Sequence, residues 1–250
     1  MRATCMRRKY VDSHIHLNDY TREKILDLCG KDDMELVAVS EDLHSSLINL
    51  SLERECSNVR AAVGVHPWNA DKVAADELAK VMELIDSVGF VGEVGLDKKF
   101  TPETFDLQLK IFKEFVSRAS SGNKVLLLHA AGAWKEVLEV LSKTPVKAAV
   151  LHWYTGPLEY LRDIRELGYF IGVNVSLLRQ PKMREVVKQA PLDIMLTESD
   201  GPYEYRGLRL EPDLIPALIN EIATIKKLSS EDVLEAVYNN YLSLLNRMLK

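Results

Sequence analysis

The feature that most constrains the fold of this chain is a regular alternation of short apolar or β-branched runs with longer amphipathic stretches. Runs of the first kind predict buried strands, and apolar residues recurring every three to four positions predict helices. The candidate strands cover residues 9–13, 35–40, 59–64, 90–94, 125–129, 148–152, 170–174 and 194–198. The helical patterns cover 20–29, 43–56, 71–87, 102–120, 133–143, 157–167, 182–189, 212–227 and 230–249.

Strand runs such as Val125-Leu126-Leu127-Leu128 are apolar throughout, which is typical of parallel strands covered by helices on both sides. Eight strand–helix units in 250 residues predict an α/β protein with a TIM (β/α)8 barrel, forming a single domain over residues 1–250. A doubly wound open sheet is the alternative. No glycine-rich phosphate-binding fingerprint follows the first predicted strand, however, and this favours the barrel.

The predicted strand ends carry an unusual set of side chains. In a parallel barrel, all strands open onto one face at their carboxyl ends, and functional groups collect there. Five of the six histidines lie at such ends and only His44 does not. The set at these ends is His14, His16, His66, Glu93, His129, His152 and Asp200.

These residue types together predict a metal centre. Imidazoles and carboxylates suit zinc, magnesium or manganese, and they do not distinguish between these divalent ions. Glu93 can bridge two ions with its two oxygens. The first ion is then expected on His14, His16, Glu93 and Asp200, and the second on Glu93, His129 and His152. Two such ions hold a water and the scissile group, with Asp200 as the proton acceptor, so Glu93 and Asp200 are the predicted catalytic residues.

The order and spacing of these motifs resemble the TatD family of metal-dependent hydrolases, the TatD-related deoxyribonucleases of the amidohydrolase-like superfamily. The matching pieces are His14-Ile15-His16, Gly64-Val65-His66-Pro67-Trp68, Gly92-Glu93-Val94-Gly95-Leu96-Asp97, Leu128-His129, Leu151-His152 with Tyr154-Thr155-Gly156, Glu198-Ser199-Asp200-Gly201-Pro202-Tyr203, Glu211-Pro212 and Asn239-Asn240. The resemblance implies a TIM barrel, two divalent ions, the same six ligands, and phosphodiesterase activity, often as a DNase or exonuclease.

The chain departs from the family at one position. Members often carry an arginine two residues after the histidine of the fifth strand, and Ala131 stands there. An arginine at that place could hold a phosphate through paired hydrogen bonds. The candidate replacements are Lys98, Lys99, Arg179, Arg206 and Arg209, of which Lys98 and Lys99 are equally explained as solvated loop charges.

Several residues near the strand ends have two interpretations. His66 supports the ligands, faces the substrate or belongs to a structural turn. Trp153, Tyr154 and Tyr203 either stack on a base or sugar or pack in the protein. Asp97 is predicted to cap a loop or helix, whereas Glu198 orients a ligand or contacts the ions. Asp12 shares strand parity with His14 and is a candidate acceptor for a ligating imidazole.

Composition limits the partners and the compartment. A net charge of −5 argues against a broad basic surface that coats nucleic acid, while a DNA or nucleotide phosphodiester can still enter a metal site. We expect no membrane association and no obligate protein partner. Cys5, Cys29 and Cys56 lack zinc-site spacing and predict reduced thiols in a cytoplasmic protein.

Two other functions remain open from the sequence. In the first, a protein with the same barrel hydrolyses an amide, a lactone or a phosphotriester. Many relatives on such barrels bridge their metals with a carbamylated lysine at the end of the fourth strand, where this chain has Glu93. In the second, the protein is an inactive metal-binding scaffold. The complete set of predicted ligands in this chain argues against that function.

Overall fold

A computed structural model describes residues 8–248 of the chain. Its central element is a sheet of eight strands in consecutive order, and every observed pairing within it is parallel. The strands are β1 (Tyr10–Ile15), β2 (Met34–Ala38), β3 (Val59–Val63), β4 (Phe90–Gly95), β5 (Val125–His129), β6 (Ala148–Leu151), β7 (Phe170–Asn174) and β8 (Met195–Glu198).

The sheet curls into a nearly closed barrel, as predicted. At the seam between β8 and β1, Asp200 donates its backbone N–H to His14 at 2.8 Å, and His16 donates its own to Gly201 at 2.9 Å. The Asp12 carboxylate accepts the backbone N–H of Ser199 at 2.8 Å. These bonds tie the last strand to the first through the residues that follow each of them.

Helices alternate with the strands around the barrel. They are α1 (Arg22–Cys29), α2 (Leu43–Glu55), α3 (Ala75–Leu84), α4 (Phe105–Ser121), α5 (Trp134–Lys143), α6 (Tyr160–Glu166), α7 (Pro181–Gln189), α8 (Ile215–Lys226) and α9 (Ser230–Met248). All nine predicted helices are present with shifted ends. Helix α2 begins at a capping box, in which Asp42 and Ser45 each satisfy a backbone N–H of the other. Among the helices of residues 8–248, none is long and apolar enough to cross a bilayer.

The last helix crosses the amino ends of the strands and closes that end of the barrel. Asn240 donates to the carbonyls of Leu192 and Met195 at 2.9 and 2.8 Å, just before and at the start of β8. Arg247 donates to the carbonyls of Lys147 and Gly168, which precede β6 and β7. The predicted end of this helix, Leu249, lies outside the described residues.

One hairpin was not predicted. Strands β9 (Glu204–Tyr205) and β10 (Leu208–Arg209) pair antiparallel beside the carboxyl end of β8. Arg206 and Gly207 between them have φ of 50° and 74°, as in the two-residue turns that match strand twist. Strands of two residues are too short to show a periodic pattern in the sequence.

The cysteine prediction is wrong for two of the three residues. Cys29 ends α1, Cys56 follows α2, and the two form a disulfide with their Cα atoms 5.2 Å apart. They are 27 residues apart in the chain, and only the packing of the two helices on neighbouring strands brings them together. Cys5 lies outside the described residues.

Candidate metal centre

The carboxyl ends of the strands place one buried carboxylate at the middle of a ring of imidazoles. Glu93, on β4, is 2% exposed, and its oxygens lie within 4 Å of the nearest ring nitrogen of five histidines. The five are His14, His16, His66, His129 and His152. The structure therefore brings predicted ligands from β1, β4, β5 and β6, together with His66 after β3, to one point.

One oxygen of Glu93 faces the pair of histidines from the first strand. Glu93 Oε2 lies 3.1 Å from His14 Nε2 and 3.6 Å from His16 Nε2. Asp200 Oδ1 lies 3.5 Å from the first of these nitrogens and 3.3 Å from the second. Donors 2.0–2.1 Å from a tetrahedral ion are about 3.4 Å apart, so these separations fit a single divalent ion.

The other oxygen of Glu93 faces a second set of imidazoles. Glu93 Oε1 lies 2.8 Å from His129 Nδ1 and 3.4 Å from His66 Nε2. His152 Nε2 is 3.9 Å from that oxygen and also 3.9 Å from Asp200 Oδ1, so it stands between the two sets. Glu93 is thus positioned to serve two donor sets, one with each oxygen.

His66 differs from the other imidazoles in its hydrogen bonds. Its Nδ1 accepts the backbone N–H of Trp68 at 3.2 Å, which leaves the ring proton on Nε2. Burial lowers the pKa of His66 to about 4 despite the nearby Glu93 carboxylate, so the ring is neutral. A neutral ring with its proton on Nε2 donates towards Glu93 and supports the centre as a hydrogen-bond partner.

The electrostatics of the centre favour a bound cation. Burial would raise the pKa of Glu93, but the charge of His152 and the hydrogen bond from His129 lower it well below its usual value, so the carboxylate is ionised. Among residues 8–248, no lysine or arginine nitrogen comes within 4 Å of its oxygens. A buried carboxylate needs a compensating charge. Imidazole donors around it are those that divalent ions use, and the residues present fit such ions.

Asp97 holds the ring of His129, which goes beyond its predicted capping role. Its Oδ2 accepts from His129 Nε2 at 2.9 Å and from the Trp68 indole N–H at 2.6 Å. Its Oδ1 accepts the backbone N–H groups of Lys99 and Phe100, both at 2.7 Å, as expected for a loop cap. With Nε2 engaged, His129 directs Nδ1 at Glu93, an orientation suited to a metal ligand.

Glu198 lies beside the ring of His152, as Asp97 lies beside the ring of His129. Its Oε1 lies 3.0 Å from His152 Nδ1 and accepts the backbone N–H of Trp153 at 2.7 Å. Burial alone would lower the pKa of His152, but Glu198, Asp200 and Glu93 together raise it to about 10. Of its two predicted roles, orienting a ligand is the one that this geometry supports.

Two further acids near the first strand differ from expectation. Asp12 bonds the backbone of Ser199 and His14, and no imidazole nitrogen accepts or donates at its side chain among the described residues. Its predicted role as a partner of a ligating imidazole is therefore wrong, because strand parity does not reveal the seam that its carboxylate closes. Glu41, which follows β2, lies 4.0 Å from His16 Nδ1 and was missed. Its position at a strand end was the available signal.

The predicted aromatic residues separate into two groups. Trp153 and Tyr203 lie at the mouth of the barrel, with ring centroids 6.0 Å apart and Tyr203 51% exposed. Tyr154 is fully buried, donates its hydroxyl to the Pro157 carbonyl at 2.6 Å and packs edge-on against Trp134. Its placement gives it a structural role and no access to a substrate.

Comparison with known proteins agrees with this centre. The family described as TatD related DNase matches residues 11–246. The chain is 30% identical to an uncharacterized metal-dependent hydrolase of Methanocaldococcus jannaschii, over 96% of this chain and 98% of that protein. It is 27% identical to the uncharacterized metal-dependent hydrolase YabD of Bacillus subtilis, over 92% and 96%.

Solved structures of other proteins share this fold. The TatD homologue YjjV of Escherichia coli superposes with a TM-score of 0.86 at 22% identity, over 96% of this chain and 98% of that one. A hydrolase TatD family protein of Entamoeba histolytica gives 0.80 at 19% identity, with the same coverage. Because the family match spans nearly the whole chain, this protein belongs to the TatD-related DNase family and is a metal-dependent hydrolase.

Proposed function

We propose that this hydrolase cleaves phosphodiester bonds of DNA with two divalent ions. The observation that carries the proposal is the position of Glu93. Its Oε2 faces His14 and His16, and its Oε1 lies 2.8 Å from His129 Nδ1 and 3.9 Å from His152 Nε2. His14, His16, Glu93 and Asp200 would hold the first ion, and Glu93, His129 and His152 the second. When bound, such a pair polarises a phosphoryl oxygen and lowers the pKa of a water.

Asp200 is the residue best placed to take the proton of the attacking water. Burial would raise its pKa, but His152, His16 and His14 lower it, so the carboxylate is ionised and able to accept. Its backbone N–H is bound to the His14 carbonyl, which fixes Oδ1 within 3.9 Å of three imidazoles. Because Asp200 is held at this position, no base has to diffuse to the reacting atom.

Two features support DNA as the substrate. Trp153 and Tyr203 present ring surface beside the centre, where a base can stack. The family to which the chain belongs is described by DNase activity. With a net charge of −5, the surface suits a strand that enters the mouth better than a duplex wrapped around the protein. We propose action from a strand end, as an exonuclease.

Asp200→Asn provides the main test of mechanism. Asp200 has a left-handed φ of 60°, which asparagine tolerates, so the variant keeps the loop. We expect kcat to fall about 10²- to 10⁴-fold, the usual contribution of a positioned base, with an unchanged circular dichroism spectrum. Equal turnover in both proteins would remove Asp200 from the reaction, and an inactive scaffold would show no turnover in either.

A substrate panel tests the reaction class. The protein is stripped with a chelator, reloaded separately with Zn²⁺, Mn²⁺ or Mg²⁺, and assayed on single-stranded DNA, duplex DNA and bis(p-nitrophenyl) phosphate. A carboxylic ester, a lactone, an amide and a phosphotriester serve as comparison substrates. The proposal requires metal-dependent phosphodiester cleavage above the other classes, and intact phosphodiesters under all three ions would overturn it. A cytoplasmic location stays a prediction from the sequence.

A further inference from the structure

We propose that a single DNA strand lies across the mouth of the barrel, with nucleotides on both sides of the scissile phosphate bound by two aromatic rims. This inference rests on the proposed phosphodiesterase function and extends it to the path of the substrate. The Trp68 rim consists of Trp68, Lys99 and Phe100. The Tyr203 rim consists of Trp153, Tyr203, Tyr205 and Arg206.

The Trp68 rim combines exposed rings with an unpaired cation. Trp68 and Phe100 are 36% and 58% exposed, and their rings meet edge to face with centroids 5.7 Å apart. Lys99 Nζ lies 4.7 Å from the Phe100 ring centroid. Within the described part of the chain, no carboxylate is within 4 Å of this ammonium group. Ring surface for a base and a free cation for a phosphate are the two parts of a single-strand site.

The Tyr203 rim repeats this composition on different elements. The Trp153 ring centroid lies 6.0 Å from that of Tyr203 and 5.4 Å from that of Tyr205. Arg206, at the tip of the β9–β10 hairpin, holds its guanidinium 5.3 Å from the Tyr205 centroid. It too has no carboxylate within 4 Å among residues 8–248, whereas Arg209 of the same hairpin is paired with Glu211. The second rim therefore also offers ring surface and a free cation.

The two rims stand on opposite sides of the centre. Trp68 and Phe100 follow β3 and β4. In the Tyr203 rim, Trp153 follows β6, while Tyr203, Tyr205 and Arg206 follow β8. In an eight-stranded barrel, the fourth and eighth strands face each other across the axis. The ring centroids of Trp68 and His129 are 6.3 Å apart, those of His129 and His152 6.4 Å, and those of His152 and Trp153 6.0 Å. A strand running from rim to rim must therefore pass over the metal-binding imidazoles.

Both tryptophans are fixed by the carboxylates that orient those imidazoles. The Trp68 indole N–H is bound to Asp97, and the Trp153 backbone N–H to Glu198. Trp153 also has a left-handed φ of 42°, which is unusual for a bulky residue, and its indole N–H donates to Gln180 at 2.9 Å. Rings held in place lose little conformational freedom when a base stacks on them.

Phe100→Ala and Tyr203→Ala test the rims separately, because neither ring touches a proposed ligand. Binding is measured by fluorescence anisotropy with a phosphorothioate oligodeoxythymidylate, which resists cleavage. We expect each variant to weaken binding roughly tenfold and the double variant roughly a hundredfold, since stacking contributions at separate sites add. Leu26→Ala, an exposed apolar side chain on the outer face of α1, is the control and should bind as the parent protein does.

Two chromogenic esters show whether the rims hold opposite sides of the phosphate. Thymidine 5′-(p-nitrophenyl phosphate) and thymidine 3′-(p-nitrophenyl phosphate) each carry a base on one side only. One ester should lose kcat/KM in Phe100→Ala and the other in Tyr203→Ala, each at least tenfold relative to bis(p-nitrophenyl) phosphate. Metal content per chain is measured for each variant, so that loss of the centre is recognised.

The outcomes separate this inference from the proposed function. If the parent protein cleaves the esters but both variants affect the same ester, or neither variant weakens oligonucleotide binding, the two-rim path is wrong and the phosphodiesterase function stands. If the parent protein cleaves no phosphodiester, the proposed function fails. The anisotropy measurement still decides whether both rims bind the strand.

Discussion

The two ends of the barrel both bury charge, but they compensate it differently. At the amino end, Glu35 on β2 is paired with Lys9 at 2.6 Å, and α9 covers the strand starts with side-chain bonds to backbone carbonyls. At the carboxyl end, Glu93 and Asp200 face imidazoles only, among the described residues. Charges at the first end are balanced by the chain itself.

This difference separates structural charge from functional charge. A partly buried pair such as Lys9–Glu35 is complete in itself, so its contribution is limited to the stability of the fold. A buried carboxylate surrounded by imidazoles, which can be neutral, needs a proton or an external cation to balance its charge. In this protein, therefore, the partner of a buried acid indicates its role better than its burial does.

The sharpest test applies the same substitution to both ends. Glu93→Gln should lower kcat/KM by more than about 100-fold and reduce the metal bound per chain, because the carboxylate that we propose is shared by two ions loses its charge. Glu35→Gln should keep activity and metal content, and cost about 1 kcal/mol of unfolding free energy. Steady-state kinetics, elemental analysis and thermal unfolding measure the three quantities. Equal effects of the two variants on metal content would break the comparison.

A smaller effect is expected from the acids that orient the rings. Asp97→Asn and Glu198→Gln keep the shape of each side chain but weaken its hold on His129 or His152. Each should reduce metal affinity roughly 10- to 100-fold, measured by competition with a chromogenic chelator. Asp76→Asn, which removes an exposed carboxylate on α3, is the matched control. Parent-like affinity in both test variants would make Asp97 and Glu198 structural, like Glu35.

Metal loading should stabilise the protein through the carboxyl end alone. An ion present at 100 times its Kd adds about 2.7 kcal/mol to the unfolding free energy. For a chain of this size, that raises Tm by roughly 5–11 °C. Scanning calorimetry with and without chelator measures the shift. It should largely disappear in Glu93→Gln and persist in Glu35→Gln, and the opposite pattern would place the ions elsewhere.

The cysteines allow a further comparison, because Cys29 and Cys56 are bonded at the α1–α2 contact and Cys5 is not part of that bond. Denatured, unreduced protein should show one reactive thiol per chain in a thiol titration, and three after reduction. The measurement separates the structure from the prediction of reduced cysteines, since three thiols before reduction would show that Cys29 and Cys56 are not bonded. The protein is prepared without reductant, because partial reduction of the disulfide would give thiol counts between one and three.

The sequence by itself predicted the barrel and the histidines and carboxylates that gather at its carboxyl end. Strand and helix patterns are local, and eight parallel strands bring their carboxyl ends to one face whatever the loops do. His14, Glu93, His129 and the others therefore converge because of where they stand along the chain. Predicting the element order and the candidate ligands required no knowledge of any contact.

The tertiary structure decided which residue touches which. Asp97 reaches both His129 and Trp68, Asp12 closes the seam, and Tyr154 turns into the core although it lies two residues after a predicted ligand. The Cys29–Cys56 bond and the two opposed rims likewise join distant segments. Such contacts depend on the register of neighbouring strands and on loop conformation, which side-chain periodicity does not encode, because periodicity reports only the face of an element that is buried.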